Sequence, residues 1–452
     1  MTLRAGIALA ALATPFVVAQ PAMASTTSDA NAALLKQALQ QIQMLNQKVD
    51  TLSQRVDQQE QQNAQQSQAL AQARAAQAAA EARANAAEAK ADQALAQANT
   101  ANTTAQAAAK DASKGSVLAD AAKWAADTKI SGRMYFNVSA ISADDANGNN
   151  VQKGGGFELK RFYVGIDHKF NSVLSGNITT DVTGASGSGA TLYVKKAYLS
   201  AKFSPAFDVR LGATDLPWIP YVEGIYGHRY IDNTLTDLDH FGTSSDWGVH
   251  VQGKLADGLI NYQVSAVNGA GYKTIKMTKS IDLEGRLALE YHGFNAAIGG
   301  YTGKLGKDDG TNTIAHTANR FNALLAYKGD VGMIPFTIGG EYFHATNWNN
   351  VTGSISPTMD VSSEGYSVFA SVKPAKEWGV FARYDWVKPD KQFEPLQVDR
   401  YFNVGIEYSP TKIVDLALVY KHDSGDDGIK IGHLGSGQAT RSEIGLYSRF
   451  RW

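Results

Sequence analysis

The sequence predicts an all-β transmembrane barrel, sixteen antiparallel strands in one chain, preceded by a long α-helical coiled coil. Three observations carry this reading. From about residue 129 to Trp452 the chain falls into sixteen segments of alternating hydrophobicity. The connectors between them alternate long and short, as in an outer-membrane barrel with short periplasmic turns and longer external loops. Residues 31–114 have no proline, aromatic residue or glycine and keep one heptad phase throughout.

The N-terminus places Arg4 before the apolar run AGIALAALATPFVVA and a small-x-small site, Ala22-Met23-Ala24. This is secretory signal chemistry, so residues 1–24 are expected to be removed and the mature chain to start near Ser25. The run is too short, and interrupted by Pro15, for a spanning helix. An exported chain without a helical anchor reaches lipid only as a closed barrel, because lipid cannot satisfy open backbone groups. The chain contains no cysteine, which excludes disulfides, thiolate metal sites and cysteine nucleophiles. Net charge is −1, without the basic excess of a nucleic-acid binder.

Residues 25–114 read as a periplasmic α-helical coiled coil. Leu35, Ile42, Val49 and Val56 recur at a, with Ala38, Leu45 and Leu52 at d. Asn63, Gln59 and Gln66 interrupt the seam and set register, and alanine dominates both positions from there to Ala112. About eighty residues at 1.5 Å each give a reach on the order of 120 Å. β-Branched residues at a with leucine at d favour two strands. Residues 115–128 are read as a linker.

The barrel domain is 129–452. In KISGRMYFNVSAIS, Met134, Phe136, Val138 and Ala140 share one face, and Arg133, Tyr135 and Asn137 the other. FELKRFYVGIDHKF, from residue 157, behaves alike, with Phe162, Val164, Ile166 and Phe170 opposed to Arg161, Tyr163, Asp167 and Lys169. The apolar face is expected toward lipid and the polar face toward water. The other strands are expected at 173–183, 191–204, 207–214, 246–255, 260–268, 281–292, 295–304, 319–328, 334–346, 364–373, 378–387, 400–409, 413–422 and 440–452. Tight connectors such as Asn171-Ser172, Pro205-Ala206 and Gly293-Phe294 follow even-numbered strands, and polar connectors such as SADDANGNN (142–150) follow odd-numbered ones. Trp378, Tyr384, Trp386, Tyr401, Phe402, Tyr408 and Tyr420 lie near strand ends, where interfacial girdles need aromatic rings. Trp452 resembles the terminal aromatic by which the barrel-assembly machinery recognises its clients.

The third external connector, 215–245, is the longest and is rich in aromatic residues. At that ordinal position a loop can fold inward, which makes His228, Arg229, Asp232, Asp237, Asp239 and His240 constriction candidates. Rings of opposed charge select solutes by sign and size. The lumen face offers Arg133, Arg161, Lys169, Lys196, Lys202, Arg210, Lys254, Arg286, Arg320 and Arg383. Against them stand Asp167, Asp181, Glu284, Glu290, Glu341, Asp385 and Glu407, leaving the first six strands basic. Lys273, Lys276 and Lys279, three apart in the fourth external loop, could gather anions at the mouth. Aspartate pairs at 144–145, 308–309 and 426–427 suit divalent bridges to lipopolysaccharide. No HExxH, GxSxG or P-loop pattern occurs, so neither an enzyme nor a cofactor or metal site is expected.

The stretch ELKRFYVGIDHKFNSVLSGNITTDV followed by YVKKAYLSAKFSPAFDVRLGA resembles the phosphate-selective porin O and P family: a basic pair, alternation into a short turn, then an ascending strand. The resemblance implies a homotrimeric barrel in the Gram-negative outer membrane, with lumen arginines and a lysine cluster that bind anions; Arg161, Lys196, Lys202 and Arg210 fall on matching strands. The expected function is passive diffusion of small hydrophilic solutes and ions, with anion or phosphate preference. Trimerisation by resemblance conflicts with the two-strand preference of the heptads. One alternative is a structural tether that reaches peptidoglycan through the coiled coil. Another is a carbohydrate porin, since sucrose-type porins carry a coiled-coil extension on barrels of eighteen strands. A trimeric adhesin, whose anchor takes a few strands from each chain, fits sixteen strands poorly.

Overall fold

The computed structural model describes residues 28–111, 117–185, 189–310, 316–348, 359–426 and 429–452. The expected signal peptide lies outside these. Two compact units divide the chain, residues 1–114 and 115–452.

The first unit is helix α1, Ser28–Asp111, 84 residues long. Its Ala/Gln composition is strongly helix-favouring, and no Gly or Pro interrupts it. Leu70, at an a position, is 55% exposed. The second unit begins with α2, Val117–Ala126, where a plain linker was expected. The alanine-rich VLADAAKWAA favours a helical turn over extended chain.

Sixteen strands follow and close into one antiparallel barrel. They are β1 Thr128–Asp144, β2 Asn150–Lys169, β3 Leu174–Ala185, β4 Gly189–Ser204, β5 Phe207–Asp215, β6 Ser245–Leu255, β7 Ile260–Val267 and β8 Asp282–Tyr291. The circuit continues with β9 Phe294–Gly303, β10 Ala318–Val331, β11 Ile334–Thr346, β12 Ser362–Val372, β13 Trp378–Lys388, β14 Asp399–Thr411, β15 Val414–Gly425 and β16 Thr440–Arg451. Sixteen, not eighteen, is the count on which the barrel closes. β1 pairs with β16 from Arg133↔Arg451 to Asp144↔Thr440. Beyond that ladder the amide of Gly132 donates to the Trp452 carbonyl at 3.1 Å, and the Trp452 amide returns a bond to Gly132 at 3.2 Å. The Trp452 indole packs against Gly132, where a Cβ would come within 1.9 Å of the ring.

The alternation sorts as the period demands. In β8, Asp282, Glu284, Arg286 and Ala288 are buried inside while Leu283, Leu287 and Leu289 are exposed outside. The outer band of Leu, Ile, Val and Phe suits lipid, and a closed barrel leaves no strand edge where every strand is paired along its length. From the third loop on, the connectors separate into a long-loop end and a short-turn end. At the first two they do not. β1 and β2 extend toward each other until only residues 145–149 remain between them, so both ends of SADDANGNN belong to strands. β2 begins at Asn150 instead of 157, because VQKGGG pairs with β1 although it lacks hydrophobic alternation.

One expected girdle residue turns the other way. Tyr401 is fully buried in the lumen and donates to Asp232 at 2.7 Å. Trp378 does lie outside at the turn end, 4.6 Å from Tyr408.

Candidate pore constriction

The connector after β5 folds into the barrel. Helix α3, Ile219–Tyr226, starts with Pro220 in its first turn and ends on Gly227 in the left-handed region (φ 81°). Its apolar face, Ile219, Val222, Ile225 and Tyr226, together with Trp218, packs on Ala288, Ala297, Leu324, Ala326 and Phe369 of β8–β12. These inward apolar residues are a second use of hydrophobicity, beside the outward band that strict alternation predicts. Trp218 seats against Gly299, where any Cβ would stand 2.5 Å from the ring, and its indole donates to Glu341 at 2.7 Å. Tyr230 and Ile231 then cross to Tyr135, Phe381, Ala417, Val419 and Tyr447. The turn α4, Leu235–Leu238, and Phe241 pack with Phe343, Trp348 and Ile431 near the loop end.

The loop thus covers one wall and leaves open space along the other. The open vestibule, about 780 Å³, is bounded by the loop, by β1–β5 and by the end of β16. Its lining holds seven cations, Lys129, Arg133, Lys195, Lys196, Arg229, Arg449 and Arg451, against three carboxylates, Asp167, Asp215 and Glu223.

Two β-bulges build this charge. Along β2 the ladder jumps from Tyr135↔Arg161 to Phe136↔Leu159 and leaves Lys160 unpaired. Along β4 it jumps from Thr179↔Lys196 to Thr180↔Val194 and leaves Lys195 unpaired. Strict alternation sends one member of each basic pair, 160–161 and 195–196, to lipid. A bulge re-aims the extra residue and keeps both inside. Lys160 donates to the Ile231 carbonyl and approaches Asp232 at 3.4 Å. Lys195 is buried to 8% exposure, its ammonium 5.0 Å from the Tyr163 ring centre and 5.7 Å from that of Tyr272. Lys273 lies over Tyr193 at 5.0 Å and over Tyr272 at 5.9 Å. Arg161 pairs with Asp181 and donates to the Tyr272 hydroxyl at 3.2 Å. Among the described residues, Arg133, Lys195 and Lys273 form no ion pair with a carboxylate. Of the three, Lys195 is the buried one, and the Tyr163 and Tyr272 faces hold its ammonium without neutralising it.

The expected loop residues do not form an open ring. His228 stacks on Phe381 (4.3 Å) with its Nε2 3.3 Å from Glu407. Arg229 pairs with Glu223, and its Nη2 lies 3.6 Å from Asp237. Asp232 is buried among His433 (2.7 Å), Lys421 (3.0 Å) and the Tyr401 hydroxyl. Burial alone would raise its carboxyl, but His433, Lys160 and Lys421 outweigh that and hold it well below the usual range. Asp239 is the opposite case: burial, and then Asp385 and Asp423, push it well above. His240 is exposed, with φ 60°, and its carbonyl accepts from the Trp348 indole at 2.9 Å.

The expected wall cations divide similarly. Arg320 pairs with Glu284 at 3.0 Å, Arg383 with Asp385, and Arg210 with Asp208 at 3.0 Å. Arg286 donates to the Pro217 carbonyl and stacks on Tyr221 at 4.1 Å, pinning the loop. Lys196 pairs with Asp215. Lys169, Lys202 and Lys254 are exposed near the turn end, with Lys254 3.5 Å from Glu290. The lysines of the fourth loop do not act together, since Lys276 pairs with Asp309 at 2.9 Å while Lys273 leans into the lumen. Sequence reasoning missed Lys160 and Lys195; the signal for both was two adjacent cations inside an alternating strand.

No protein-family model matches the chain, and no curated protein matches it. The fold is nevertheless shared with solved outer-membrane porins. The chain is similar to an anion-selective porin from Comamonas acidovorans, at 13% identity and TM-score 0.50, over 72% of this chain and 99% of that one. Salmonella typhi OmpF, solved with daunomycin, superposes at TM-score 0.52 with 13% identity over 72% and 97%. Pseudomonas putida OprB, in a high-pH structure, gives TM-score 0.52 with 10% identity over 72% and 94%. At these identities the likeness establishes the porin barrel as the fold.

Proposed function

We propose that this chain is an outer-membrane porin, a water-filled channel through which small hydrophilic solutes and ions diffuse passively, with preference for anions. The observation that carries the sign is the vestibule's seven cations against three carboxylates, with Arg133 and Lys195 of that lining in no ion pair among the described residues. Paired charges cancel at short range, while an uncompensated ammonium in a narrow, partly dehydrated passage raises the local anion concentration. Inorganic phosphate belongs to the solutes this reading covers. The barrel is read as the unit of a homotrimer, with α1 on the periplasmic side, lipopolysaccharide around the long-loop end, and the assembly machinery acting through Trp452.

Reversal potentials of the purified protein in planar bilayers under a salt gradient test this. The potential should move toward the chloride equilibrium value. A shift toward the potassium value would overturn the anion reading, and absence of pores would overturn the channel itself. A second reading, a tether between membrane and peptidoglycan, draws on α1 alone: an 84-residue helix is more than diffusion requires.

A further inference from the structure

The external connector after β15, described over residues 429–439, folds back over the third loop. Its Ile429, Ile431 and Leu434 pack with Leu235 and Phe241 of that loop against Phe343 and Val387 of the wall. Gly432, in the left-handed region (φ 56°), stands between these apolar anchors and faces three carboxylates. The point where a Cβ would stand lies 2.8 Å from Asp423 Oδ2, 3.3 Å from Asp239 Oδ1 and 3.6 Å from Asp399 Oδ2. The third loop, β14 and β15 each supply one, so three segments meet there under a fourth.

Each of the three residues is at most 2% exposed, and among the described residues four of their six carboxylate oxygens have no hydrogen-bond partner. The charges nearby are committed elsewhere. Arg383 of β13 binds Asp385, while Lys421 of β15 and the His433 ring bind Asp232. The His433 amide donates to Asp423 Oδ2 at 2.8 Å. Buried carboxylates this close cannot all ionise without a compensating charge, because burial and mutual repulsion both disfavour the charged form. A metal would need ligands converging around it, and among the described residues no such group of His, Asp and Glu occurs. Protons need only carboxyls within reach of each other, and Asp399 and Asp423 are such a pair once one of them is protonated. Burial, then Asp385 and Asp423, already hold the Asp239 carboxyl well above its ordinary value.

We propose that Asp239, Asp399 and Asp423 share protons at neutral pH, and that these protons latch the last external connector and the third loop to the β14–β15 wall. As pH rises the protons leave, the three charges repel, and the connector lifts. The latch stands on the loops alone; only its effect on current rests on the channel reading above.

Because the chain has no cysteine, a single nitroxide can report the connector. Full-length Ser436→Cys, at an exposed site, would be labelled, reconstituted in phospholipid vesicles with EDTA, and read by electron paramagnetic resonance from pH 5 to 9. The mobile fraction should rise several-fold across that range. In the Asp239→Asn, Asp399→Asn background it should stay flat, since amides hydrogen-bond but do not ionise. A flat parent, or an equal rise in the amide background, overturns the latch. So does a rise lost only in His433→Gln, which would assign the response to the His433–Asp232 pair, or a mobility that follows added calcium instead of pH, which would assign the cluster to a metal. Should the double variant fail to fold, Asp239→Asn alone gives the same readout. In planar bilayers the open-channel noise should follow the label. A pH-dependent label on a protein that forms no pores would support the latch and overturn the channel reading.

Discussion

Lys195 owes its position to one inserted residue. Without the bulge in β4, Lys195 and Lys196 would take opposite faces in strict alternation and one ammonium would face lipid; with it, two adjacent lysines enter the lumen. Lys196 is neutralised by Asp215, whereas Lys195 forms no ion pair among the described residues and lies against the Tyr163 and Tyr272 rings. Replacing Lys195 with glutamine should therefore lower the anion-over-cation permeability ratio, by about fivefold at low salt, corresponding to roughly 1 kcal/mol, and less at 1 M where screening is stronger. Lys196→Gln should do less, because it also frees Asp215. Reversal potentials at two ionic strengths separate the pair, and equal effects would count against the bulge argument. Asp239 supports a second test. Among the described residues both its carboxylate oxygens lack hydrogen-bond partners, and burial, with Asp385 and Asp423, raises its pKa. A raised carboxyl costs the folded state nothing while protonated in both states, and destabilises it progressively as pH climbs past the unfolded value. Asp239→Asn should therefore gain heat stability over the parent as pH rises from 4 to 8 and lose that advantage in acid. A difference constant with pH would refute this.

At the scale of elements, the third loop is held as a lining by one tight contact more than by its charges. Trp218 occupies the space a side chain at position 299 would need. Gly299→Val should force the indole off the wall and break its bond to Glu341, at about 1–3 kcal/mol of overpacking. The expected result is a lower temperature for loss of the folded band on gels, together with noisier open-channel current, since α3 would lose its anchor. Quiet channels of parental stability would show that Arg286 and the apolar face of α3 suffice. The strands were legible because side-chain period and lipid exposure coincide, and the longest connector stood out as a candidate by its third external position, its length and its aromatic content. Three features were not. β2 starts seven residues early because GGG and its neighbours carry no hydrophobic alternation, though their backbone pairs with β1. The two bulges depend on register, which a period-two pattern assumes to be constant. The loop charges read as a ring, yet His228, Arg229 and Asp232 are consumed by partners on Glu407, Glu223, Lys421 and His433, contacts between segments up to two hundred residues apart.

For the whole molecule, the barrel closes through its own ends, which sets what α1 can and cannot do. The β1–β16 ladder and the Gly132–Trp452 backbone pair lie within residues 132–452, and the lumen loop packs on β8–β16 and β1. No element of that closure comes from α1. Deleting residues 28–111 should accordingly leave single-channel conductance and ion preference unchanged, because every side chain of the vestibule remains. Two other properties should change. In the proposed oligomer the heptad seam is one of the contacts between copies, so without it the oligomer should dissociate at lower temperature. A reach on the order of 120 Å is also long enough to meet a peptidoglycan layer, so sedimentation with purified peptidoglycan should fall if the helix is a tether. Retained sedimentation after the deletion would remove the tether reading. Altered conductance would mean that α1 reaches the conducting path, contrary to the separate roles argued here.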